Sequence, residues 1–154
     1  MQPIAAKAEM LIRKPVATVF EAFVDPAITT KFWFSSSSGR LAPGASVRWE
    51  WAMYSFSVDA HVKAFEPNRR LVVAWSAYGP VSDIEWVFDA RKGDTTFVSV
   101  VNSGFNGSLE DVARLAVGAT EGFAFVLAGA KALLEHGVHL NLVADRFPDG
   151  LPRG

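Results

Sequence analysis

The sequence predicts an α+β domain, with helices segregated from a single antiparallel sheet. Three observations lead there. Between Ala45 and Asn102, segments with alternating apolar and polar residues follow one another at near-regular spacing, with tight turns between them. From Thr120 to Gly137 the period changes: Phe123, Val126, Leu127, Ala130, Leu133 and Leu134 recur three and four residues apart, on one face of a long helix. Two short helical stretches separate a first strand from the rest. A sheet of about six or seven strands curved over the last helix is the arrangement that covers such a wide apolar stripe.

In order, Ile4 to Arg13 alternates loosely, Ile4, Ala6, Ala8, Met10 and Ile12 against Lys7, Glu9 and Arg13, and reads as a half-buried strand. Pro15 suits the first turn of a helix whose stripe is Val16, Val19, Phe20 and Phe23. Asp25-Pro26 ends it and opens a short helix carrying Ile28, Phe32 and Trp33. The run Ser35 to Gly39 reads as a loop, either a surface connector or a mobile lid beside a pocket. Strands follow at Ala45–Ala52, from Phe56 to Ala64, at Leu71–Ala77, around Ile84, Trp86 and Phe88, and from Thr95 to Asn102. The turns between them fall at Met53-Tyr54, Pro67-Asn68, Gly79-Pro80 and Lys92-Gly93-Asp94. Ser108 followed by Asp111 resembles a helix-start box, and the helical pattern runs on to His136, with Gly118 and Gly122 expected to loosen or kink it. Gly137 stops it. Residues 138–154 are left as a tail.

The chain of 154 residues suits one domain, 1–154, with one core. A net charge of −1, with no basic stripe beyond Arg69-Arg70, argues against a nucleic-acid footprint. The absence of cysteine excludes disulfides and thiolate chemistry and is compatible with the cytoplasm, the expected location. The N-terminal residues make a poor signal peptide, and no stretch is expected to reach the roughly 20 apolar residues of a membrane span. His136 and His139 are split by Gly137 and His61 lies on the wet face, so no metal site is expected, and no cofactor.

The order and the residues together resemble the START and birch-pollen-allergen (SRPBCC) superfamily. IRKPVATVFEAFVDPAITTKFW is similar to its opening, FEPNRRLVVAW to a recurring hairpin, DTTFVSVVNSGF to a late strand and TEGFAFVLAGAKALLEHG to its terminal helix. Within it the chain looks like the branch related to the C-terminal domain of activators of the heat-shock-protein-90 ATPase. The resemblance covers residues 4 to 137 and implies a helix-grip fold with a cavity between the sheet and the last helix. The eukaryotic activators carry a further N-terminal chaperone-binding domain, for which a chain of this length has no room.

Five Trp and twelve Phe are many for this length, and they fill either a large interior or a large pocket. By phase, Trp49, Trp51, Val62, Trp75, Ile84, Trp86, Val98, Val100 and Asn102 face inward from strands; Trp33, Phe123, Val126, Leu127 and Ala130 face inward from helices. Each is either plain core or cavity lining; the tryptophans are the better lining candidates, because a buried indole N–H needs a partner. The expected ligand contacts are Trp33, Trp49, Trp51, Trp75, Trp86, Val98, Asn102, Phe123 and Leu127. Asn102 is a buried amide bonded either to its surroundings or to a ligand. Glu121 is either a favourable charge near a helix start or a pocket acid, and it and Asn102 are the weak candidates for catalysis.

Three readings follow. The leading one is a carrier or sensor of a small hydrophobic or lipid-like ligand. The second is a cyclase- or hydrolase-type enzyme using a polar group in the cavity, and the third a chaperone-interacting module. Val87, Phe97 and Val101 face outward by phase and would form a self-association patch if adjacent, a homodimer hypothesis that light scattering showing only monomer would remove.

Overall fold

The computed structural model describes residues 3–77 and 79–152. Strand β1 (Ala6–Ile12) leads into helices α1 (Val16–Val24) and α2 (Pro26–Thr29). Six strands follow: β2 (Ser36–Ser37), β3 (Ser46–Trp51), β4 (Phe56–Glu66), β5 (Arg70–Trp75), β6 (Ser82–Arg91) and β7 (Thr95–Ser103). Helix α3 (Leu109–His136) and the short α4 (Leu142–Arg146) complete the chain. The seven strands form one antiparallel sheet in the order β1-β7-β6-β5-β4-β3-β2. This is the helix-grip α+β arrangement, a curved meander closed by β1 at one edge, with α3 across its concave face.

Local chemistry explains the elements. Asp25 ends α1 and caps α2, its carboxylate accepting from the Ala27 amide at 2.9 Å, while Pro26 occupies the first turn. The hydroxyl of buried Thr29 donates back to Ala22 O at 2.6 Å and ties the two helices together. Ser108 caps α3, its Oγ accepting from the Asp111 amide at 3.1 Å. Gly137 ends α3 at φ 65°, its amide donating to Leu133 O at 2.8 Å.

Two features depart from the sequence reading. The serine run is not a free loop: Ser36 and Ser37 pair with Glu50 and Trp49 as an edge strand. Serine hydroxyls complete that edge, Ser35 Oγ accepting from the Ala52 amide at 2.8 Å and Ser38 Oγ from the Arg48 amide at 2.9 Å. A second departure is a bulge in β4, where the register against β5 shifts between Val62 and Ala64. Past it the phase changes, and Phe65, not Ala64, reaches inward to stack edge-on against Phe20 at 5.4 Å. As the sequence pattern predicts, α3 runs as one helix of 28 residues through Gly118 and Gly122 to His136.

The core lies between the concave face and the helices. Trp33, at the end of the α2 segment, is its hub, with ring centroids 5.0 Å from Trp49, 6.2 Å from Trp51, 5.9 Å from Trp75 and 6.0 Å from Trp86. Phe20, Phe23 and Phe88 pack the α1 end in the same way. At Gly129 α3 closely approaches the segment after α2: a Cβ there would lie 3.3 Å from Phe32 Cβ.

By length and composition α3 is apolar enough to cross a membrane, with a mean hydropathy of 1.4 over 18 residues, contrary to the expectation from sequence. Its apolar residues Ala119, Phe123, Val126, Leu127 and Ala130 are buried, as expected of a core helix. On the outer face, Val87 is exposed while Phe97 and Val101 are half-buried. Ser99, bonded to Glu9 at 2.8 Å, sits opposite Val87, and Arg91 lies over the Phe97 ring at 5.0 Å.

Candidate functional site

The two halves of α3 do different things. Phe123, Leu127 and Ala130 are buried against the sheet. Beside Gly118 and Gly122 a cavity of about 590 Å³ opens. Trp51 and Trp75 of the sheet, Trp33, and Gly118, Gly122, Phe125 and Val126 of α3 line it. Gly118 faces the space itself, since a Cβ built on it meets no atom within 4 Å.

The remaining wall is the C-terminal segment: Val143, Arg146, Phe147, Leu151 and Pro152 all line the cavity. Tyr54 and Arg146 hold this wall. The Tyr54 hydroxyl donates to Val143 O in a short hydrogen bond, and its ring meets Phe147 at 6.0 Å. Arg146 donates from Nε to Glu121 Oε1 and from Nη2 to Gly118 O, both at 2.9 Å. Its guanidinium also lies 4.6 Å over Phe147. Burial pushes the Tyr54 phenol above its ordinary value, so it stays a neutral donor at physiological pH.

The nine expected ligand contacts divide by depth. Trp33, Trp51 and Trp75 are brought together on the lining. Trp49, Trp86, Val98, Asn102, Phe123 and Leu127 are buried outside it, in the packed interior. Asn102 is fully buried; its Nδ2 donates to Ser82 Oγ at 3.0 Å and Asp83 O at 2.9 Å, so its partners come from the neighbouring strand β6. Among the described residues, Asn102 Oδ1 and Trp86 Nε1 are buried without a hydrogen-bond partner. Glu121 is not on the lining; it stands behind Arg146, 55% exposed. The catalytic candidates are thus apart, one inside the sheet and one at the rim.

Sequence reasoning missed Tyr54, Arg114, Gly118, Arg146 and Phe147. The signal for Gly118 and Gly122 was present: two glycines four residues apart, beside an apolar helical stripe, leave a gap as readily as they permit close approach. For the tail, the apolar residues Leu142, Val143 and Phe147 around Arg146 were the available sign of a docked segment.

With this geometry in place, comparison with known proteins is informative. A family model described as Activator of Hsp90 ATPase homolog 1-like protein matches residues 13–135. No curated protein sequence matches. Among solved structures, SSP2350 from Staphylococcus saprophyticus is 32% identical, over 88% of this chain and 95% of that one, with a TM-score of 0.76. The Aha1 dimer from Colwellia psychrerythraea is 17% identical over 87% of this chain and 98% of that one, TM-score 0.72. DynU16, from the dynemicin biosynthetic locus, is 24% identical over 90% of this chain, TM-score 0.73; the chain spans 49% of that protein. The last two similarities establish the fold alone.

Proposed function

The chain belongs to the Activator of Hsp90 ATPase homolog 1-like family, and from that premise we propose that it binds a small hydrophobic or lipid-like molecule in the cavity at the start of α3, as a carrier or sensor. One observation carries this reading: an aromatic-lined space of about 590 Å³ lies between sheet, helix and C-terminal segment. Ligand pockets are of this size and character, mostly apolar with a few placed polar groups. A protein of this length that needed only stability would gain by filling the space, because each unfilled methylene volume costs packing energy.

Its side chains suit binding better than acid–base chemistry. The polar side chains on the described lining are Arg114, Arg146 and Tyr54, and the Tyr54 hydroxyl is already donated to the backbone.

The test uses the tryptophans themselves. Trp33 contacts the other four, so a ligand against Trp33, Trp51 and Trp75 changes a coupled emission. Titration with an uncharged apolar probe is expected to shift that emission saturably, with affinity reduced about tenfold or more in Trp51→Ala. A saturable shift unchanged in Trp51→Ala, or no shift at all with a folded protein, refutes the site.

A further inference from the structure

The cavity is chemically lopsided, and the lopsidedness identifies a class of ligand; the inference rests on the ligand-binding reading above. Its sheet side is indole and phenyl surface from Trp51, Trp75 and Phe56. Its two charged lining residues are both arginines, Arg114 in the second turn of α3 and Arg146 at the end of α4. No carboxylate is on the described lining to neutralise them from within.

Both arginines line the same cavity. Arg146 Nη2 binds the carbonyl of Gly118, which is four residues beyond Arg114 on the same helix, an axial rise of about 6 Å. Arg146 is held firmly: its side chain is 17% exposed, clamped by Gly118 O and Glu121 and laid over Phe147. Those contacts use Nε and Nη2 and do not engage Nη1. Arg114, its side chain 68% exposed, donates from Nη2 to Asp111 Oδ1 at 2.7 Å, a contact that does not engage Nε or Nη1. Two guanidiniums on the lining of one apolar space, each with donors that these contacts do not engage, suit an anionic ligand.

We propose that the ligand is an amphipathic carboxylic acid, its apolar body against the tryptophans and its carboxylate between Arg114 and Arg146. Glu121 then has a defined part as the internal competitor. Its carboxylate occupies Arg146 Nε in the absence of ligand and reduces the field that the ligand head meets. Arg146 is at once a wall residue and the head-group receptor, so docking of the C-terminal segment completes the specificity of the site.

The experiment compares decanoic acid with decanol by isothermal titration calorimetry at pH 8, on the full chain and three variants. Wild-type protein is expected to prefer the acid by about tenfold or more. Arg114→Gln brings the ratio toward one while the affinity for decanol stays within about twofold. Arg146→Gln lowers the ratio too. Glu121→Gln raises acid affinity severalfold and leaves decanol unchanged, a result that a purely structural Glu121–Arg146 pair would not give, since breaking such a pair weakens both ligands. Equal binding of acid and alcohol overturns the proposal and leaves hydrophobic binding standing; binding of neither overturns both. A Glu121→Gln variant that weakens both ligands overturns the head-group assignment even if Arg146→Gln proves unstable.

Discussion

A single missing side chain controls the site at Gly118. Elsewhere on α3 glycine serves contact: at Gly129 an added methyl would press on Phe32. At Gly118 the same methyl would enter empty space. Gly118→Ala is therefore expected to stabilise the protein by about 0.5–1 kcal/mol, read from urea unfolding, because helical glycine is worse than alanine by that much. Gly118→Leu fills the cavity, and its expected result is a protein at least as stable as wild type that has lost most of its affinity for apolar probes. A destabilised Gly118→Ala would show that the position is tightly packed. Residue identity alone left this hidden, since Gly118 and Gly129 are the same letter on the same helix. The tryptophans pose the same problem: Trp49, Trp51, Trp75 and Trp86 share one phase, which gives the side of the sheet but not the distance along it. Only Trp51 and Trp75 of these four reach the cavity.

At the scale of elements, α3 is anchored at the end away from the site. Lys131 Nζ donates to Leu11 O at 2.8 Å and to Glu135 at 2.6 Å. Glu135, its side chain 8% exposed, also accepts from the Arg13 amide at 2.8 Å. Burial alone would raise the Glu135 carboxyl, but the Arg13 amide and the Lys131 ammonium outweigh it and hold it below the ordinary value. A carboxyl lowered on folding adds stability that is complete above its unfolded value, here 4.5, and is lost as pH falls through the folded value. Glu135→Gln is thus expected to cost about 1–3 kcal/mol at pH 7, with wild type and variant converging as pH falls below 4.5 through the lowered folded value in parallel thermal melts. A difference independent of pH would mean that the side chain acts by packing alone. Helices and hairpins were legible because their signals are local: a proline at a helix start, a change of hydrophobic period, a turn residue between alternating runs. The edge strand β2 and the bulge at Lys63 were not, because serine hydroxyls replacing ladder bonds and a one-residue register shift leave no local pattern.

Over the whole molecule, the sheet, α1, α2 and α3 share one buried core, and the C-terminal segment finishes the wall of the site. That segment left little trace in the sequence reading, because its docking depends on pairs far apart in the chain, Tyr54 with Val143 and Glu121 with Arg146. The difference in how the parts are held has a consequence in time. The sheet is expected to open only with global unfolding, whereas the wall at residues 142–152 rests on Tyr54, Arg146 and an aromatic contact. Such a wall is expected to open independently of the sheet, and under the proposed binding its opening frequency would set how long a guest stays. Tyr54→Phe is expected to speed ligand dissociation severalfold in stopped-flow and to quicken amide hydrogen exchange at 142–146, with the global unfolding rate unchanged. If exchange in that segment instead tracks the sheet, residence time is governed by the fold as a whole. Under the proposed binding, affinity would come from the tryptophans, and the dwell time of a guest from the docked segment that covers them.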